Sequence, residues 1–209
     1  MAWAPLLLLL ALGSAMADPL TEAEAHFDAL ESYRATIHTL AADGERRLIR
    51  YYFRKPGWVR IETVSPHPGA VLIYDPQARR VRLWPFGTDR TLHLSLSPDS
   101  RLVRDARGHR VDRSDVGALL DNLRRLAARG RVEPLGETAG GGRPATGVEI
   151  VGEAGAAVSG VHRYRVWFAQ DDPLPLRVES FAPNGSPIET VDMTDAETGI
   201  VFPDHFFTP

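Results

Sequence analysis

The 209-residue sequence contains no cysteine. Disulfides, thiol catalysis, thiolate metal sites and lipidation of an N-terminal cysteine are thereby excluded. Lysine is nearly absent as well: Lys55 is the only one, so arginine carries almost all of the positive charge. A cationic surplus is missing too. The formal net charge is −3, whereas a phosphate-binding surface ordinarily needs a clear excess of positive charge, so nucleic acid is not an expected partner. Long apolar runs are also lacking. The run Leu6–Leu12 falls far short of the roughly 20 residues that span a bilayer, and no transmembrane segment is expected in the mature chain.

The motifs of local chemistry are missing in the same way. There is no G-x-S-x-G, and the histidines at 26, 38, 67, 93, 109, 162 and 205 form no H-x-x-x-H or H-x-H pair. Ser95 lies close to His93 on one predicted strand, a pattern that solvated surface explains. Asp171 and Asp172 precede Pro173, where aspartate suits a turn. The glycine-rich stretches Gly136–Gly147 and Gly152–Gly160 lack the strand and helix context of a phosphate cradle and read as flexible turns. No catalytic residue, metal or cofactor is expected.

What is present starts with an export signal: Leu6–Leu12 is followed by small residues, and Ala15-Met16-Ala17 fits a cleavage site. Residues 1–17 read as a signal peptide and 18–209 as one exported domain. With 44% hydrophobic and 24% charged residues, its composition is ordinary for a globular domain.

The organising stretch is Tyr51 to Leu83. It reads as four short strands, Tyr51–Arg54, Trp58–Val64, Val71–Tyr74 and Arg80–Leu83, separated by turns rich in proline, glycine and aspartate. Alternation within them predicts one greasy face and one wet face. Before them, Leu20 to about Tyr33 has helical spacing, with Thr21 and Glu24 as a candidate capping box. A hairpin turns at Asp43-Gly44. Thr91–Leu96 alternates cleanly, with its three leucines facing one way, and Arg101–Arg113 reads as an exposed connection.

Asp115–Arg129 carries the stripe Val116, Leu119, Leu120, Leu123, Leu126 and Ala127, which predicts an amphipathic helix capped by Ser114 and stopped by a left-handed Gly130. A second meander follows: Val148–Val151, His162–Ala169, Leu174–Phe181 and Ile188–Met193, with Asn184-Gly185 in its last turn. Tyr164, Val166 and Phe168 should face one side, as should Leu174, Leu176 and Val178. Roughly ten strands and two helices predict a mainly antiparallel α+β fold, in which one sheet, too long to stay flat, curls around a covering helix. Trp58, Trp84 and Trp167 either fill a two-sided sheet or line a pocket.

Tyr52–Glu62 (YFRKPGWVRIE), Val71–Pro76 (VLIYDP) and Val81–Pro85 (VRLWP) together resemble the opening half-barrel of the LolA-like superfamily. Tyr164–Gln170, Leu174–Glu179 with Asn184-Gly185, and Ile200–Phe206 are similar to its later hairpin and closing strand. The resemblance implies an incomplete curved β-barrel with helices closing the concave face, and a periplasmic, non-catalytic carrier of lipid or of lipoprotein acyl chains. Carriers of the family have an arginine before the proline of the Pro56 motif that helps hold the lid closed; here that place is Lys55. The expected ligand-binding residues are Phe53, Val59, Ile61, Ile73, Leu83, Leu94, Leu119, Leu123, Val166 and Phe168. The other reading is an envelope sensor or scaffold whose curved sheet binds an inner- or outer-membrane protein partner.

Overall fold

The computed structural model describes residues 18–104, 108–140, 142–193 and 195–209. The expected signal peptide lies outside the described residues. Helix α1 spans Pro19–Ala29, with its proline in the first turn, where a missing N–H costs nothing. Asp18 caps it, accepting from the Leu20 N–H at 3.3 Å. Thr21 sits inside the first turn and donates to Asp18 Oδ2 (2.9 Å), so the cap lies three residues before the expected one.

Strand β1 (Ser32–Ala41) pairs with β2 (Arg46–Arg54) through the turn in which Gly44 takes a positive φ of 87°. Then β3 (Trp58–Ser65), β4 (Val71–Asp75), β5 (Arg80–Trp84) and β6 (Leu94–Leu96) continue the antiparallel meander outward. Only Leu94–Leu96 of the Thr91–Leu96 segment is a strand; Leu92 lies in the preceding loop. The connection after β6 is less exposed than expected, because Val103 and Val111 are buried in the main core.

Helix α2 spans Val116–Ala127. Its cap is Asp115, which accepts from the Ala118 N–H at 3.0 Å, and not Ser114. Gly130 is not a left-handed stop but opens strand β7 (Gly130–Gly140) directly. A Cβ at Gly130 would lie 2.1 Å from the carbonyl oxygen of Val151, so close backbone approach demands glycine there. Strand β7 pairs with β8 (Arg143–Gly152), and the glycine-rich stretch expected as a flexible loop is largely this hairpin. Gly147 is needed inside it because Trp167 packs over that position, with Nε1 only 2.8 Å from where a Cβ would be.

Strands β9 (Arg163–Ala169), β10 (Pro175–Phe181) and β11 (Pro187–Asp192) bring the chain back to β1, where His38 faces Asp192 and Ala41 faces Glu189. The short β12 (Glu197–Thr198) also pairs with β1. All twelve strands form one antiparallel sheet, ordered β6-β5-β4-β3-β2-β1-β11-β10-β9-β8-β7 with β12 beside this path. It is curved and unclosed, since β6 and β7 do not meet.

The main core lies on the concave face under both helices. The opposite face is not simply wet. Trp58, Val71, Ile73 and Trp84 form a second cluster there, covered by Phe202, Phe206 and Phe207. The segment Ile200–Phe206, expected as a closing strand, is instead part of an irregular strap, 200–207, across this back face. Leu176 also departs from expectation. A register shift between Pro175 and Arg177 breaks the alternation of β10, and Leu176 packs with Ala145, Ala169 and Trp167 while Leu174 and Val178 enter the main core.

Candidate functional site

The concave face is built from side chains that stand opposite one another across successive strands. One row runs Tyr33, Phe53, Val59, Tyr74, Val81 and Leu96 from β1 to β6. The next runs Ala35, Tyr51, Ile61, Leu72, Leu83 and Leu94 across the same six strands. A third, Val148, Val166, Val178 and Val191, crosses β8 to β11 in the other half. Directly opposed side chains in a sheet are near neighbours, so each row is a continuous apolar strip.

Helix α2 packs on β7 and β8, and α1 packs on α2 and β8. Burial follows that placement. Phe53, Val59, Leu123, Val166 and Phe168 are at most 3% exposed. These five expected ligand contacts are therefore closed to solvent in this state. Ile61, Leu83 and Leu119 are half-buried against the same core, as is Leu72, and Leu94 at the sheet margin is exposed. Of the expected contacts and their register neighbour Leu72, the accessible ones are therefore the strip Ile61, Leu72, Leu83 and Leu94 on the sheet and Leu119 on α2.

Ile73 is not part of this face. It is buried on the back with Trp58 and Trp84. Its neighbour Leu72 takes the concave position, aligned with Ile61 on one side and Leu83 on the other. The run Val71-Leu72-Ile73-Tyr74 is apolar at every position, so alternation alone does not assign its faces; the register with β3 does. Among the described residues the tryptophans lie on the back, Trp58 and Trp84 under the strap and Trp167 against Leu176.

The start of α2 is fixed to the sheet by buried polar contacts. The Val116 N–H donates to the Tyr33 hydroxyl (3.1 Å), and the Tyr51 hydroxyl lies 3.1 Å from Ser114 Oγ, which donates to the Val111 carbonyl at 2.8 Å. Because Ser114 spends its proton on Val111, Tyr51 is the donor in that pair. Burial pushes both tyrosine hydroxyls well above their ordinary pKa; Tyr51 and Asp115 add to this at Tyr33, and Asp115 adds to it at Tyr51, against the hydrogen bonds Tyr51 makes with Ser114 and Tyr33. Burial also raises the Asp115 carboxyl, against the backbone N–H groups of Ala118 and Gly117 that favour its charge.

The two helices hold each other. Arg124 of α2 makes a paired contact with Glu24 of α1 and donates to Thr21 Oγ1 at 3.1 Å. Lys55 contacts α1 rather than α2: its Nζ donates to the Asp28 carbonyl at 2.5 Å, where a cation complements the helix carboxyl end, and lies 5.9 Å from the Phe27 ring centre. His26 of α1 reaches Asp172 in the β9–β10 turn, with Nε2 and Oδ1 2.6 Å apart, close enough for an ion pair although the contact is poorly directed for a hydrogen bond. None of these long-range pairs leaves a local sequence pattern.

No helix among the described residues is long and apolar enough to cross a membrane. The sequence matches no family model, and no curated protein matches it. Solved structures do match in fold. The lipoprotein LppX of Mycobacterium tuberculosis aligns with a TM-score of 0.54 at 15% identity, over 89% of this chain and 96% of that one. MucB aligns at 0.53 and 18% identity, over 94% of this chain but only 64% of its own length. An uncharacterized conserved protein from Thermus thermophilus aligns at 0.52 and 12% identity, over 88% and 90% of the two chains.

Proposed function

We propose, from the LolA-like fold shared with these structures, that the protein is a non-catalytic periplasmic carrier for an acyl chain of a lipid or lipoprotein. The observation that carries this reading is the strip Ile61, Leu72, Leu83 and Leu94, four apolar side chains in direct register, the first three half-buried and Leu94 at the sheet margin exposed. It offers an acyl chain a track and offers a reacting group nothing to polarise. Each methylene removed from water contributes about 0.8 kcal/mol, so contact along four or five of them gives roughly 3–4 kcal/mol without a polar partner. Deeper entry, down to Phe53, Val59, Val166 and Phe168, requires the helices to lift from the sheet, because these side chains are buried in one core with Phe27 of α1 and Leu120, Leu123 and Leu126 of α2.

The test is uptake of a fluorescent fatty acid by the purified protein, with native mass spectrometry for lipid that co-purifies. Leu72→Asp and Leu83→Asp place charge on the track and are expected to weaken uptake by about tenfold or more while the helical and sheet signals persist. Absence of both uptake and co-purified lipid in the unaltered protein would sink the carrier reading.

A second reading rests on β7. This strand ends the sheet, its partner lies on one side only, and the side chains of residues 131–139 are exposed. Such an edge supports pairing with a strand of a partner protein in the envelope. A pull-down that depends on β7 and is indifferent to excess lipid would favour it.

A further inference from the structure

We infer that the β6 margin of the sheet is a docking surface for an anionic lipid bilayer. The inference starts from where large apolar side chains remain in water. Phe86 (70% exposed), Leu92 (57%), Leu94 (40%) and Leu102 (65%) all fall within 17 residues of sequence, whereas the remaining exposed large apolar residues are Leu40, Val201 and the pair Val132 and Leu135 on β7. Strand β6 is the last strand of its half, and these four residues lie on it or on the connections that enter and leave it, so they occupy one margin. Phe86 and Leu92 come together around an open cavity of about 370 Å³, beside Arg90 and Thr91. Phe86 and Leu92 are therefore clustered and not isolated, which distinguishes an interaction surface from ordinary surface leucines.

Charge identifies the partner. Between residues 79 and 104 six arginines stand against two aspartates, within a chain whose net charge is −3. Arg82 donates to the Phe207 carbonyl of the strap and Arg80 to the Ser95 carbonyl, contacts that leave both charges unneutralised. Asp99 pairs with Arg104 at 3.1 Å and Arg110 at 2.7 Å, and Asp89 lies 3.8 Å from Arg90, so six arginines against two aspartates leave the segment a surplus of four positive charges. The margin thus combines protruding phenylalanine and leucine with positive charge, in a molecule that is otherwise acidic. Apolar side chains that enter the acyl boundary beside arginines that meet phosphates are the two components of peripheral attachment to an anionic membrane. A soluble acidic protein would complement the charge but leave Phe86 and Leu92 without an apolar medium.

The margin also adjoins the concave track. Leu94 stands opposite Leu83, so a chain leaving the bilayer at β6 meets Leu83, Leu72 and Ile61 in turn. Attachment itself does not depend on what that track holds.

Vesicle flotation of the purified protein tests this. The unaltered protein should float with vesicles of phosphatidylglycerol and phosphatidylcholine, float poorly with phosphatidylcholine alone, and detach as salt is raised. Phe86→Ser with Leu92→Ser should lower flotation by about tenfold or more, and Arg90→Gln should lower it in part. Val132→Ser with Leu135→Ser, exposed apolar positions on β7, should leave it unchanged. All these side chains are exposed, so the variants should unfold as the unaltered protein does. No flotation with the anionic vesicles, equal flotation with both kinds, or equal loss in the β7 variant would overturn the assignment. Uptake of a detergent-dispersed acyl probe, measured without vesicles, should survive the Phe86 and Leu92 changes. Its absence alongside intact flotation would reject the carrier reading and leave the docking surface standing.

Discussion

Asp115 shows at a single residue how the helix that covers the site is held. Its carboxyl caps α2 and is buried enough to raise its pKa above the ordinary 3.8. The native state therefore holds that proton more tightly than the unfolded chain does. The stabilisation is complete below pH 3.8 and is lost as the pH rises through the folded value. Asp115→Asn keeps an acceptor for the Ala118 N–H with no charge to bury, so the decline above pH 3.8 should flatten and stability at pH 7 should hold or rise. Asp115→Ala loses the cap and should cost about 1 kcal/mol. Urea midpoints from acid to neutral pH check both, and an aspartate form more stable than the asparagine variant at pH 7 would mean that the helix dipole outweighs burial. Tyr33→Phe is a companion test: it leaves the Val116 N–H, the first of the helix, without its acceptor and should cost about 1–3 kcal/mol. The fitness of Asp115 for a helix start is legible in the sequence, whereas its setting is not. The contacts from Tyr33 to Val116 and from Tyr51 to Ser114 span 83 and 63 residues, and only the folded sheet brings them together.

At the scale of the element, α2 presents two kinds of leucine that the sequence stripe shows as one. Leu123 is fully buried, whereas Leu119 is half-buried on the same apolar stripe. Leu123→Ala should therefore cost about 2–5 kcal/mol of stability through the cavity it leaves. Leu119→Ala should cost much less stability, while acyl-probe affinity falls by roughly tenfold, the loss of about two methylene contacts at 0.8 kcal/mol each. Denaturation and probe titration on the two variants separate packing from ligand contact, and an unchanged probe affinity in the Leu119 variant would remove α2 from the binding surface. The helix and the strands of the first meander are legible because their apolar periods differ, 3.6 against 2. Strand β7 is not, because a glycine-rich sequence carries no alternation, and Gly130 and Gly147 are there to admit a neighbouring backbone and the Trp167 ring.

For the whole molecule, the decisive feature is a sheet that packs on both faces with unequal consequences. The concave face is closed by regular helices. The back is closed by a strap that makes no strand pairing there, held by Phe202, Phe206 and Phe207 against Tyr52, Trp58 and Trp84 and by arginines from the sheet. Arg60, nearly buried, donates to the Phe206 carbonyl at 2.7 Å and lies 4.5 Å from its ring centre, and Arg82 donates to the Phe207 carbonyl at 2.9 Å. That second layer is half-legible: tryptophans at positions alternating with Val59 and Leu83 imply apolar need on both faces, but nothing local says that residues 200–207 meet it. The identification of Ile73 as a ligand contact fails for this reason, since a continuous apolar run leaves the choice of face to the register. The two-face arrangement makes a separable prediction. Phe207 is fully buried, so Phe207→Ala should cost about 3–5 kcal/mol and expose Trp58 to solvent, seen as a red-shifted tryptophan emission. Acyl-probe affinity of the folded fraction should be unchanged, because the strap and the track lie on opposite sides of β3 to β5. A parallel loss of stability and affinity would instead mean that the strap sets the curvature of the sheet and, through it, the shape of the track.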